Sequence, residues 1–139
     1  MIYTYTDFGN VSMRQDARNV KTYYQYDGLN RVVGLHYDLT QATSGTAMPD
    51  VCTSVIGQQA NVCFSYGTSA AANNNGRLVS MTDPSGSESY ATYDVMGRAT
   101  AMSKTLGGVS YSLSYQYNYA SELTQVTYPS GRVVAQQYD

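Results

Sequence analysis

The residues that could do chemistry in this chain are one histidine, two cysteines, a serine-rich run and fifteen tyrosines. His36 would serve a metal site or a Ser-His-Asp centre only if ligands, or a serine and a carboxylate, converged on it. It alternates with Val32 and Gly34, as a residue on one face of a strand does. Ser110, Ser112 and Ser114 offer hydroxyls but no placed base, so nucleophilic catalysis has no constellation there. Cys52 and Cys63 lack metal-site spacing and have no histidine beside them. Sharing one irregular stretch, they fit a loop-closing disulfide, worth about 3 kcal/mol for a loop of this size. Free thiols in a reducing compartment are the alternative. The sequence therefore predicts no catalytic residue, no metal and no cofactor, and a chain that is not an enzyme.

The tyrosines allow three readings. Aromatic rings can stack on a sugar while neighbouring Ser, Gln and Asn hydrogen-bond to it. They can pack across strands and stabilise a sheet. They can also face an enclosed protein. Packing is the preferred reading.

The 139 residues suit one domain, 1–139. A net charge of -2, with six arginines and two lysines scattered, excludes the basic stripe of a nucleic-acid binder. No apolar run approaches the roughly 18 residues of a membrane span. Met1-Ile2-Tyr3-Thr4-Tyr5 shows neither a basic nor an apolar leader region.

The elements that must position these residues come from a repeat. Tyr26-Asp27-Gly28-Leu29-Asn30-Arg31-Val32 returns as Tyr93-Asp94-Val95-Met96-Gly97-Arg98-Ala99, with weaker copies from Tyr5 and Tyr117. A spacing of 21 residues separates Asn10 from Arg31, Arg77 from Arg98, and Tyr117 from Tyr138. A fixed period of this size means one structural unit used repeatedly. Tyr111, Leu113, Tyr115, Tyr117 and Tyr119 alternate with Ser112, Ser114, Gln116 and Asn118, the pattern of a strand with two different faces. A turn follows each Tyr-Asp. A second recurs as Asp16-Ala17-Arg18-Asn19, Asp83-Pro84-Ser85-Gly86 and Tyr128-Pro129-Ser130-Gly131, with Lys104-Thr105-Leu106-Gly107 in the same slot. Units starting near residues 3, 24, 66, 91 and 115 then read strand, turn, strand, turn, giving roughly ten strands. An irregular insert occupies about 39–65, and Ala70-Ala71-Ala72-Asn73-Asn74-Asn75 lengthens one turn. The predicted fold is all-β, an antiparallel β-hairpin repeat strip.

A Tyr-Asp turn, a Gly-Arg, and then Asp-Pro-x-Gly at a period near 21 resemble the YD-repeat family, also called RHS repeats. The resemblance implies hairpin strips that spiral into hollow shells. Bacterial members enclose a C-terminal toxin, and related shells occur in insecticidal toxin complexes and teneurins. It implies structural roles for Tyr26, Asp27, Tyr93, Asp94, Gly97, Arg98, Asp83, Pro84, Gly86, Tyr115 and Tyr117, with the tyrosines lining the sheet. Some members release their toxin at an aspartyl self-cleaving site containing Asp-Pro-x-Gly pairs. Here only Asp83-Pro84-Ser85-Gly86 fits, and a lone carboxylate cannot do paired acid-base work. The expected function is a section of a secreted or surface wall that encapsulates or displays a toxin. A carbohydrate-binding adhesion module and a self-assembling surface filament are the alternatives. Expected partners are flanking repeats or identical chains joined head to tail through open strand edges, an enclosed toxin domain, or a glycan.

Overall fold

The computed structural model describes residues 1–38, 52 and 61–139. All regular structure among them is β. The strands are β1 (Ile2–Tyr5), β2 (Val11–Gln15), β3 (Lys21–Tyr26), β4 (Val32–Asp38), β5 (Asn61–Tyr66), β6 (Leu78–Asp83), β7 (Gly86–Tyr93), β8 (Ala99–Leu106), β9 (Val109–Tyr117), β10 (Leu123–Thr127) and β11 (Val133–Ala135). The chain divides into two compact units, Met1–Phe64 with Thr82–Pro84, and Ser65–Met81 with Ser85–Asp139. In the first, β1 to β5 lie in chain order, each antiparallel to the next. In the second, β6 to β11 also lie in chain order, and the β7 to β11 pairings are antiparallel. The expected hairpin strip is what the chain forms.

Six turns share one backbone design, at residues 6–10, 16–20, 27–31, 94–98, 118–122 and 128–132. In each, the first residue's N–H bonds to the fifth residue's carbonyl, and the fourth residue's N–H bonds back to the first residue's carbonyl. The fourth position has positive φ every time: Gly9, Asn19, Asn30, Gly97, Ser121 and Gly131. This is a three-residue hairpin loop, a type I turn closed by a residue in the left-handed region. Gly and Asn reach that region at least cost, which is why they recur in that slot.

A β-bulge follows four of the Tyr-Asp-type turns. Register slips by one residue beside Tyr5, Tyr26, Tyr93 and Leu123, leaving Ser12, Val33, Thr100 and Thr124 unpaired on the returning strand. In two units the bulged hydroxyl bonds the residue before the tyrosine: Thr4 with Ser12 at 2.8 Å, and Thr92 with Thr100 at 2.7 Å. A bulge bends and twists its strand.

The structure corrects three boundaries. Lys104-Thr105-Leu106 is strand, not turn; Gly107 and Gly108 alone turn the chain, with φ of 55° and 81°, between paired Leu106 and Val109. Two consecutive residues at positive φ make a type I′ turn. The tyrosine strand is β9, so Tyr119 lies beyond it in a turn and is fully exposed. The insert is narrower than 39–65, because Asn61–Tyr66 is β5 and pairs with β4; residues 39–51 and 53–60 lie outside the described residues. The lengthened turn at 70–75 is present, closed by Gly67 N–H to Arg77 carbonyl at 2.8 Å.

Burial is sparse. Among the described residues no large side chain is fully buried, and Val126 is the one buried hydrophobic. Thr22, His36 and Asp38 are buried polar groups.

The type I′ assignment gives a test. Gly107→Asn should change stability by less than about 0.5 kcal/mol, since Asn suits the first I′ position. Gly108→Val should lose roughly 1–2 kcal/mol. Equal urea midpoints for the two variants would contradict this turn.

Candidate functional site

The repeated signature is a set of short-range clamps. In the 27–31 turn, Asp27 Oδ1 accepts the backbone N–H groups of Leu29 and Arg31 at 2.9 and 3.0 Å. Its Oδ2 accepts Arg31 Nε at 2.7 Å and lies 2.6 Å from Arg31 Nη2. The 94–98 turn repeats this: Asp94 Oδ1 takes Met96 and Arg98 N–H, and Oδ2 takes Arg98 Nε and Nη2, both at 2.7 Å. One carboxylate thus satisfies two turn amides and forks a guanidinium, a strong arrangement. Hydrogen bonds to the ionised form lower an acid's pKa. Arg31's side chain is the main cause for Asp27, and the Arg98 amide is the main cause for Asp94; both carboxyls sit below the ordinary value. Asp16 is lowered too, chiefly by the Arg18 side chain.

The held arginine then reaches the next unit. Arg98 stacks over the Tyr117 ring at 4.7 Å and donates Nη1 to the Asn118 carbonyl at 2.8 Å. Arg77 lies over the Tyr93 ring at 5.7 Å, a cation–π contact of the same kind. A Cβ on Gly97 would run into the Arg77 guanidinium, so Gly97 serves both its positive φ and this neighbour.

The tyrosine reaches in the opposite direction. Tyr26 donates its hydroxyl to the Val11 carbonyl at 2.9 Å, Tyr117 to Ala99 at 3.1 Å, and Tyr138 to Leu123 at 2.9 Å. Tyr93 donates likewise to the Leu78 carbonyl. For Tyr26, Tyr117 and Tyr138 the acceptor is the residue that pairs with the preceding unit's tyrosine, just before its bulge. Each of these four tyrosines therefore ties its unit to the one before it. Burial pushes the Tyr26 and Tyr93 phenols up.

The weaker copies keep the geometry with different atoms. Thr6 replaces the Asp and accepts Asn10 N–H through Oγ1 at 3.1 Å, while Asn10 donates to Asn30 Oδ1 of the next turn at 3.0 Å. In the 118–122 turn the first position is neutral and the fifth carries a carboxylate instead of a guanidinium. Asn118 Oδ1 accepts Glu122 N–H at 3.0 Å, and Asn118 Nδ2 donates to Glu122 Oε2 at 2.7 Å.

Other singled-out residues fall elsewhere. Pro84 lies in the turn between Asp83, which ends β6, and Gly86, which opens β7. A Cβ on Gly86 would meet the Thr105 carbonyl, so glycine permits close backbone approach. Tyr115 faces Met102 Sδ at 3.7 Å, and burial raises its phenol. Tyr90 donates to Glu88 Oε1 at 2.6 Å, which pushes its phenol up to about 12. His36 sits opposite Tyr23 in the ladder, ring centroids 6.0 Å apart. Cys52 and Cys63 are disulfide-bonded with Cα atoms 5.6 Å apart, and Gly34 leaves the space that Cys52 Sγ occupies. No group of three metal-ligating side chains is present among the described residues. Arg31, Arg77 and Tyr138 belong with the site residues although their types alone did not single them out; the 21-residue period was the signal that pointed to them.

Residues 73–109 match the model of the RHS Repeat family. No curated protein matches the chain. Among solved structures, TcdB2-TccC3 without its hypervariable C-terminal region superposes with a TM-score of 0.76 at 14% identity, over 99% of this chain and 7% of that one. TcdB2-TccC3-Cdc42 gives 0.73 at 15% identity, over 95% and 7%. The Photorhabdus luminescens Tc holotoxin pore, with a TccC3 substitution, gives 0.64 at 14%, over 92% and 6%. These likenesses show the fold, and the chain spans under a tenth of the chains it matches. The resemblance to YD repeats is borne out.

The clamps predict an acid response. Because the folded carboxyls lie below the unfolded value near 3.8, their stabilisation is complete above that value. It is lost as pH falls through the folded values. Asp27→Asn with Asp94→Asn should flatten the dependence of urea midpoint on pH below about 4. Unchanged slopes would contradict the clamp.

Proposed function

We propose that the chain is a non-catalytic section of a YD-repeat wall that encloses or displays a secreted toxin or effector. The observation that carries this reading is that the signature residues are spent on joining one hairpin to the next. Tyr26, Tyr93, Arg98 and Tyr117 bond neighbouring backbone or stack on each other, and Asp27 and Asp94 hold the arginines of their own turns. A wall needs this: local joints that extend without limit, each unit contacting its neighbours.

Sparse burial supports the same reading. The Tyr-Asp turn tips carry Phe8, Leu29, Val95, Met96 and Tyr119, all exposed. These exposed turn tips leave room for contact with flanking repeats or an enclosed protein. Flanking repeats and an enclosed protein are the partners this reading supplies. The structures that share the fold are of Tc toxin assemblies, which supports a toxin-related setting outside the cell. A disulfide fits an oxidising compartment.

The test uses the full reading frame that contains this segment. The purified product is treated with a non-specific protease, native and after mild denaturation. Enclosure predicts that a fragment outside the repeats survives in the native sample and is digested once the repeats unfold. Digestion of every non-repeat fragment at equal rates in both samples would overturn the reading.

A further inference from the structure

The first unit has one joint unlike its neighbours. Short turns, 16–20 and 27–31, link β2 to β3 and β3 to β4, whereas residues 39–60 link β4 to β5. A longer connection costs more chain entropy to close. The β4–β5 ladder is also short: Gly34 with Cys63, Leu35 with Val62 and His36 with Asn61, against six described pairs between β3 and β4. The β2–β3 ladder is as short, but a tight turn closes it. The Cys52–Cys63 disulfide lies across the long joint. Cys63 belongs to β5, and Cys52 Sγ fits over Gly34 of β4, where a Cβ would stand 3.1 Å from it. The bridge therefore fastens the connection against both strands of the joint that its own turn secures least.

Two features suit this bridge to reduction. Cys52 is exposed and Cys63 half-buried, so an external thiolate reaches Cys52 Sγ first. Cys52 Sγ also lies 3.1 Å from the carbonyl oxygen of Val33, the residue that the bulge leaves unpaired. In the disulfide that sulfur has no proton to donate; as a thiol it donates to this carbonyl. The reduced form thus gains a contact that the oxidised form lacks, which favours reduction.

We propose that the Cys52–Cys63 bridge is a redox-sensitive fastener that holds β5 to β4 in an oxidising medium and releases it when glutathione is present. One glutathione thiolate attacks Cys52 Sγ; the S–S bond breaks and Cys63 leaves as a thiolate. A second glutathione thiolate attacks the glutathione sulfur now on Cys52, which frees the Cys52 thiolate and yields oxidised glutathione. Two electrons pass from the two glutathiones to the two cysteines, which then take up protons. In a wall that encloses a toxin, this loosens one hairpin joint on passage from an oxidising to a reducing compartment. That use rests on the wall reading, whereas the switch itself does not.

The test is hydrogen exchange of the full reading-frame product, read by mass spectrometry with and without reduced glutathione. Alkylation under native conditions and peptide mapping report the state of Cys52 and Cys63. The expected result is that glutathione makes both cysteines alkylatable. Exchange at 32–38 and 61–66 should then rise about a hundredfold, the opening expected when a bridge closing a loop of this size is lost. Exchange at 99–106 and 109–117 should stay unchanged, and oxidised glutathione should restore the slow exchange. Cys52→Ser with Cys63→Ser should match the reduced protein and ignore glutathione; if that variant does not fold, the comparison on the unaltered protein decides alone. A bridge that survives glutathione in the native protein, unchanged exchange at 32–38 and 61–66 after reduction, or an equal rise at 99–117 would each overturn the proposal. None of these results bears on enclosure, which the protease experiment reads separately.

Discussion

A β-bulge just after the turns that follow Tyr5, Tyr26, Tyr93 and Tyr117 leaves one residue of the returning strand unpaired, and the joints between units are organised around that break. The carbonyl beside the bulge is the acceptor that the next unit's tyrosine hydroxyl finds, as in Tyr26 to Val11 and Tyr138 to Leu123. A hairpin repeat with almost no buried core has little hydrophobic stabilisation to draw on. Polar bonds of about 1 kcal/mol net, repeated once per unit, then decide whether successive hairpins hold a common register. Where the tyrosine ring is half-buried, as at Tyr26 and Tyr117, it excludes water from the bond it makes, which strengthens it.

The turn and the joint are coupled through one side chain. The fourth residue of the turn needs positive φ, the first must cap the turn amides, and the fifth points toward the following unit. Asp is the residue that caps two amides and still has an oxygen left to orient an arginine. Thr6 with Asn10, and Asn118 with Glu122, show that the geometry survives when the ion pair is lost. The ion pair is therefore secondary to the cap. Its further use is to aim Arg98 at Tyr117 and the Asn118 carbonyl.

Much of this was legible in the sequence. The alternation within β9 and the 21-residue period gave an all-β strip with correct turn positions at 27–31 and 94–98. The bulges were not legible, because Ser12, Val33, Thr100 and Thr124 are not of one residue type; a bulge is set by pairing, not by propensity. Lys104–Leu106 read as a turn because the period was imposed on a hairpin whose strands are longer, when the paired glycines that follow are the stronger local signal. The direction of the tyrosine bonds was likewise hidden. The tyrosines read as a packing ladder, whereas their hydroxyls act between units.

The central claim is that the signature arginine, aimed by the aspartate of its own turn, acts on the unit that follows. A double-mutant cycle on Arg98 and Tyr117, using Arg98→Gln and Tyr117→Leu with urea unfolding, measures this directly. The account predicts a coupling of about 0.5–1 kcal/mol, with the double variant less destabilised than the two single changes added together. Strict additivity of the two changes would mean that Arg98 serves its own turn alone, and the inter-unit joint would have to be abandoned.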